Sequence, residues 1–166
     1  MTESDLQQLA RELGEQLMAR GMMMASAESC TGGWVAKVVT DLPGSSTWFD
    51  SAMVTYSNNA KRHWLGVDPV TLEAEGAVTH VVVKQMVLGL LDRCDARVGV
   101  SISGIAGPSG GSEDKPVGTV WMAWAKPGEV VETMRFQFDG DRNQVRMQAV
   151  FEALTGVRRM LESDAR

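Results

Sequence analysis

The pattern that most constrains the fold is a short apolar run, residues 22–27, which ends in a polar, glycine-rich turn at residues 28–33. A helix-forming stretch, residues 34–39, follows this turn directly. Residues 97–102 form a second apolar run, and they lead into another glycine-rich loop at residues 103–112. Glycine-rich turns after buried strands are the places where α/β proteins bind ligands. The alternative is that both loops are only tight turns.

An N-terminal helix is predicted from the capping-box pattern of Ser4 and Gln7. Leucines recur after it at helical spacing until Gly21. Residues 48–56 are rich in aromatic and β-branched side chains, which indicates a second strand. Ser57 can then cap a short helix.

The second half of the chain predicts a helix over residues 79–94 and a hairpin formed by residues 117–125 and 130–138. Asp141 can cap a final helix. Early parallel strands joined by helices, followed by a hairpin, predict an α/β fold: a three-layer α/β/α sandwich with a mixed, partly parallel sheet and a late antiparallel hairpin. The length suits a single domain over residues 1–166.

The composition is that of an ordinary globular protein, with 44% hydrophobic and 22% charged residues. A net charge of −5 argues against a nucleic-acid partner, because such binding depends on clustered Lys and Arg. No apolar run approaches the roughly 18 residues of a membrane helix, and the acidic N-terminus is unlike a secretory signal. Cys30 and Cys94 form no CxxC pattern, which fits reduced thiols. We expect a cytoplasmic protein without a membrane partner.

Ser29 stands where the first strand meets a helix N-terminus, so the backbone N–H groups of residues 30–33 could stabilise a negative charge beside it. Position alone leaves open that Ser29 is only a helix cap. Cys30 is a competing nucleophile, since a helix N-terminus lowers the pKa of a thiol. It would need a histidine partner, for which the chain offers His63 and His80.

Lys61 is the candidate base for Ser29, provided that burial lowers its pKa from about 10.4 towards 7 or 8. A solvated surface lysine is the alternative. Tyr56, the chain's single tyrosine, could orient the amine or relay a proton, or it could be an interfacial aromatic. Arg142 and Arg146 are one helical turn apart and could hold a phosphate, or they could form an exposed, charge-balancing helix face.

Other catalytic and ligand-binding motifs are incomplete or badly placed in this chain. Ser112 and Lys115 match an SxxK pattern but lie in a glycine-rich loop before Pro116, where no helix can bring them together. Residues 139–150 begin like a calcium-binding loop but lack its glycine and its final glutamate. The chain contains neither GxGxxG nor GxxxxGK. We therefore predict no metal site and no cofactor.

Four motifs together are far more specific than any one of them: AESCTGG at residues 27–33, YSNNAK at 56–61, SGIAGP at 103–108 and KPVGTV at 115–120. In this order they closely resemble the CinA C-terminal domain family over essentially the whole chain. The stand-alone bacterial members of that family are nicotinamide-nucleotide amidases. The resemblance implies hydrolysis of nicotinamide mononucleotide to nicotinate mononucleotide and ammonia, with no cofactor, by a protein that forms a homodimer.

The resemblance also implies roles for individual residues. The family's serine nucleophile, lysine base and assisting tyrosine correspond to Ser29, Lys61 and Tyr56. Backbone N–H groups of the first turn would hold the oxyanion, and the second loop with an arginine would contact ribose and phosphate. The implied substrate-binding residues are Cys30, Thr31, Gly32, Gly33, Ser103, Gly104, Ala106, Gly107 and Arg142.

Two alternatives of other kinds remain open from the sequence. The same glycine loops could serve a non-catalytic regulatory module that binds a mononucleotide without chemistry. A cysteine-dependent amidase that uses Cys30 is the other possibility.

Overall fold

Six α-helices and five strands lie within residues 1–163, which are the residues that this computed structural model describes. Within that range the helices are α1 (Glu3–Ala19), α2 (Trp34–Thr40), α3 (Asn58–Leu65), α4 (Pro69–Glu75), α5 (His80–Leu91) and α6 (Arg142–Glu162). The strands are β1 (Met24–Glu28), β2 (Phe49–Val54), β3 (Val98–Gly104), β4 (Thr119–Ala125) and β5 (Glu132–Gln137). A short 3-10 helix, Ser45–Thr47, precedes β2.

The strands form one sheet in the order β2-β1-β3-β4-β5. Strand β1 pairs in parallel with β2 and β3, whereas β4 pairs antiparallel with β3 and β5. This confirms the predicted mixed sheet with a late antiparallel hairpin. Because β1, β2 and β3 run in the same direction, Glu28, Val54 and Gly104 end them at the same edge of the sheet.

Helices cover both faces of the sheet and confirm the predicted three layers. Residues of α1, α2 and α6 pack on one face together with Val98, Val100 and Ile102 of β3. Residues of α3, α4 and α5 pack on the opposite face, where β1 contributes Ala25 and Ala27. No helix within residues 1–163 combines the length and the apolar character needed to span a membrane.

The start of α1 corrects the sequence prediction. Thr2, not Ser4, is the N-cap: its side-chain oxygen accepts the Asp5 N–H at 3.3 Å, and the Asp5 carboxylate accepts the Thr2 N–H at 2.7 Å. An aspartate can therefore close a capping box that the Ser4 and Gln7 pattern placed two residues later. Leucines at the predicted helical spacing are buried, as that spacing indicated.

Helix α4 was not predicted, although the sequence carries a signal for it. The Asp68 carboxylate accepts the Val70 N–H at 3.0 Å, and Pro69 occupies the first helical turn. An acidic N-cap followed by proline favours a helix start, because proline lacks the N–H that would otherwise need a partner.

The contact between α3 and α5 depends on a glycine. A β-carbon at Gly89 of α5 would lie 1.8 Å from the carbonyl oxygen of Leu65, at the end of α3. Since this oxygen belongs to the backbone, the helices could not stay at their present distance if a side chain were added. Gly89 thus sets the position of α3, the helix that carries Lys61.

We expect Gly89→Ala to destabilise the protein by about 1–3 kcal/mol through overpacking. An unstrained glycine-to-alanine change in a helix stabilises it by about 0.5–1 kcal/mol, so the sign of the change is diagnostic. Urea unfolding measures it, with Leu88→Ala at the neighbouring exposed position as control. A Gly89→Ala variant as stable as the wild type would contradict the close packing.

Candidate active site

Glu28, the last residue of β1, organises the turn that carries Ser29. Its buried carboxylate accepts the Thr31 hydroxyl at 2.8 Å and the N–H groups of Val35 and Ala36 at 3.0 and 3.1 Å. These N–H groups lie in the first turn of α2, where backbone donors lack helical partners. Glu28 was not predicted as a site residue, although an acid directly before a glycine turn that opens a helix is a recognisable signal.

Lys61 lies beside Ser29 even though 32 residues separate them in sequence. Its Nζ atom is 2.9 Å from the Ser29 Oγ, 2.8 Å from the Thr55 carbonyl oxygen and 3.3 Å from that of Tyr56. Lys61 is only 1% exposed. Ser57 caps the helix as predicted by accepting the Ala60 N–H at 3.1 Å.

The surroundings of Lys61 fit a neutral amine. The two carbonyl oxygens can only accept hydrogen bonds, whereas the Ser29 hydroxyl can donate or accept. A neutral amine has two N–H donors and one lone pair, which match two carbonyls and one hydroxyl. No ion pair among the described residues includes Lys61. Burial lowers the pKa of Lys61 from 10.5 to about 8.

Ser29 and Lys61 open into a cavity of about 290 Å³ at the carboxyl edge of the parallel strands. Residues predicted for the site form much of its wall. Those that line it are Ser29, Cys30, Tyr56, Lys61, Ser103, Gly104, Ala106, Gly107 and Arg142. Asn58, Ala77 and Val78 also line it and were not predicted. Ile105, Ser109 and Gly110 of the second glycine-rich loop complete the wall.

The other three predicted substrate-binding residues lie outside this wall. The Thr31 hydroxyl is buried against Glu28, so only the backbone of Thr31 could serve a ligand. Gly32 and Gly33 line a separate cavity, and the Gly32 N–H donates to the Ser29 carbonyl at 3.0 Å. The positive φ angles of both glycines, 61° and 93°, are what this turn requires.

Tyr56 and Arg142 meet at the rim of the cavity. Arg142 donates to the Tyr56 hydroxyl at 3.0 Å and to the Gly107 carbonyl at 2.8 Å. The Tyr56 side chain is largely exposed, and its backbone carbonyl, not its hydroxyl, contacts Lys61. The structure therefore brings Arg142 to the site but places the tyrosine hydroxyl with Arg142 instead of with the lysine amine.

Cys30 has the opposite environment from Lys61. Burial raises the pKa of its thiol to about 11, despite the nearby positive charge of Arg146. Neither histidine serves it, because His63 is exposed and contacts Arg62, while His80 packs against Trp121. The thiol is thus protonated at neutral pH and lacks the partner that a cysteine nucleophile needs.

The protein is an α/β sandwich in which a serine and a buried lysine meet at the carboxyl edge of the parallel strands. This arrangement has the features of a hydrolytic site. The model of the CinA C-terminal domain matches residues 6–161. The chain therefore belongs to the CinA C-terminal domain family, as its motifs indicated.

Two relatives named as amidohydrolases match this chain over nearly their full lengths. The chain is 54% identical to "Nicotinamide-nucleotide amidohydrolase PncC" of Escherichia coli strain K12 over 154 residues, which cover 93% of each chain. It is 51% identical to the protein of the same name from Enterobacter agglomerans over 164 residues, 98% of this chain and 100% of the relative. The crystal structure of the competence/damage inducible protein CihA from Agrobacterium tumefaciens superimposes with a TM-score of 0.91 at 40% identity, covering 95% of this chain and 96% of the other.

We expect the buried Lys61 to make stability depend on pH. Below pH 8 the Lys61 amine is protonated in both the folded and the unfolded chain, so the cost of burying its charge is fully present. Between pH 8 and 10.5 it is protonated only in the unfolded chain. The free energy of unfolding of the wild-type protein therefore rises by up to about 3 kcal/mol over this interval.

The Lys61→Met substitution removes this rise in the free energy of unfolding. The stability of the variant relative to the wild type should therefore fall between pH 8 and 10.5. Urea unfolding at a series of pH values measures the difference, with Lys84→Met on the exposed face of α5 as the matched control. A difference between Lys61→Met and wild type that stays constant with pH would mean that Lys61 is not buried as a neutral amine.

Proposed function

We propose that this protein hydrolyses the carboxamide of nicotinamide mononucleotide to give nicotinate mononucleotide and ammonia. The printed names of relatives at 51–54% identity over nearly their full lengths support the substrate and the reaction. The observation that carries the chemistry is the 2.9 Å contact between the buried Lys61 amine and the Ser29 hydroxyl.

In the proposed mechanism, neutral Lys61 takes the Ser29 proton while the serine oxygen attacks the carboxamide carbon. A pKa of about 8 leaves roughly one amine in ten neutral at pH 7, compared with far fewer for a solvated lysine. Protonated Lys61 then gives its proton to the amide nitrogen, and the C–N bond breaks to release ammonia and leave the acyl-enzyme. Water repeats these steps on the acyl-enzyme and releases the carboxylate.

A backbone N–H next to Ser29 stabilises the oxyanion in this proposal. The Gly32 N–H already donates to the Ser29 carbonyl, and Thr31 is fully buried outside the cavity wall. This leaves the N–H of Cys30, which lines the cavity next to Ser29, as the donor that this turn offers. Tyr56 assists through its carbonyl, which together with that of Thr55 holds the amine of Lys61.

The walls of the cavity suit the remaining parts of the substrate. Ala77, Val78 and Ile105 offer apolar surface to a pyridine ring. Ser103 and the glycine loop after it offer polar groups for the ribose. Arg142 at the rim supplies a guanidinium, whose paired N–H donors suit the oxygens of a phosphate.

We expect Ser29→Ala and Lys61→Met each to lower ammonia release from nicotinamide mononucleotide at least about 10³-fold, because each removes one member of a nucleophile–base pair. Purified protein is assayed without added metal, and both ammonia and nicotinate mononucleotide are quantified. Cys30→Ala, which alters the neighbouring thiol, is the matched control and should keep much of the rate.

The same assay separates the alternatives. Full turnover by Ser29→Ala or by Lys61→Met would overturn the serine–lysine mechanism. Loss of turnover in Cys30→Ala with activity retained in Ser29→Ala would indicate a cysteine enzyme. A regulatory module would bind the mononucleotide saturably and release no product in any variant.

The pH dependence of kcat/KM is a further prediction. Since only neutral Lys61 can act as a base, kcat/KM should rise with pH and level off above an apparent pKa of about 8. Initial rates between pH 7 and 9.5 measure this, in a range where a phosphate monoester, with a second pKa near 6, no longer titrates. A flat profile over this range would exclude Lys61 as the base.

A further inference from the structure

Arg146 of α6 contacts the turn of Ser29 on the side away from the substrate cavity. Its Nε donates to the Cys30 carbonyl and its Nη2 to the Thr31 carbonyl, each at 3.0 Å. The guanidinium also lies over the ring of Trp34, 5.2 Å from its centroid. The guanidinium of Arg146 therefore donates its hydrogen bonds to the protein backbone, whereas the sequence had left Arg146 as a possible phosphate ligand.

Two consecutive peptide units are held by this contact. Both are trans, and in a planar trans peptide the N–H points opposite to the C=O. The unit between Thr31 and Gly32 shows the consequence: its carbonyl faces Arg146, and its N–H donates to the Ser29 carbonyl at 3.0 Å. Arg146 thus helps to close the turn around the nucleophile.

The same geometry applies to the unit between Cys30 and Thr31. Because its carbonyl faces Arg146, the Thr31 N–H points away from the guanidinium. Thr31 is fully buried and does not line the cavity, so the residues of this turn that reach the cavity are Ser29 and Cys30. The Thr31 side chain cannot reorient the turn independently, since it is buried and bonded to Glu28.

We infer that Arg146 is a positioning residue for the proposed amide hydrolysis: by binding the Cys30 and Thr31 carbonyls, it fixes the conformation of the turn that presents Ser29 to the cavity. The inference rests on the proposed function. Arg146 does not line the cavity around Ser29 and Lys61, so its removal should impair transition-state stabilisation and leave ground-state binding intact.

Arg146→Met tests this, because methionine keeps an apolar stem against Trp34 and removes both donors. We expect kcat for nicotinamide mononucleotide to fall about 10²-fold, because a displaced turn would misplace the Ser29 hydroxyl, with KM within about twofold of the wild type. Calorimetric binding of nicotinate mononucleotide should keep its stoichiometry, whereas partial unfolding would lower it. Arg158→Gln on the same helix, which pairs with Glu12, is the control and should leave kcat unchanged.

Ammonia release by the wild-type protein is measured first, and its absence would overturn the proposed function itself. If the wild type is active, an unchanged kcat in folded Arg146→Met would overturn the inference alone. A raised KM with unchanged kcat would do the same and would indicate a substrate contact. If Arg146→Met does not fold, Arg146→Lys is used instead, because lysine keeps the positive charge but lacks the planar guanidinium that can bind two carbonyls. A wild-type kcat in Arg146→Lys would overturn the inference.

Discussion

The site depends on one buried nitrogen atom surrounded by three oxygen atoms. Burial makes the charged form of the Lys61 amine unfavourable, because it removes water and no acidic side chain within residues 1–163 pairs with the amine. Two backbone carbonyls and the Ser29 hydroxyl accommodate the neutral form and so set the direction of its lone pair. The fold must hold α3 tightly enough to keep this arrangement, and the close approach of α3 to Gly89 does so.

The parallel part of the sheet explains why distant segments meet. Strands β1, β2 and β3 end at the same edge, and each delivers one component: the turn of Ser29, the helix of Lys61 and the glycine loop that begins at Ser103. Helix α6 then returns to this edge along the opposite layer from α3. Its first two turns bind the glycine loop through Arg142 and the nucleophile turn through Arg146. The site is therefore assembled from both helical layers.

Local patterns predicted most of the fold, because periodicity and capping residues are properties of neighbouring positions in sequence. The Ser29–Lys61 pair was different: spacing alone left a surface lysine open, and only the resemblance of four motifs assigned the pair. Arg146 was considered only as a possible phosphate ligand or surface residue, because its partner Cys30 lies 116 residues away in sequence. Glu28 was assigned no role although its partners lie within eight residues, because the sequence does not show that its carboxylate turns towards the start of α2. Gly32 and Gly33 belonged to the right turn, but a one-dimensional motif cannot tell which side of a turn faces a ligand.

The neighbouring residues Ser29 and Cys30 illustrate why residue type alone does not determine the nucleophile. A thiol is intrinsically easier to ionise than a hydroxyl, and the sequence placed both at a helix N-terminus. In the folded protein, burial raises the pKa of the Cys30 thiol to about 11 and lowers the pKa of the Lys61 amine beside Ser29 to about 8. In the proposed mechanism, the same desolvation disfavours the Cys30 thiolate and favours Lys61 as a base for Ser29, because it acts on an acid in the first case and on a base in the second.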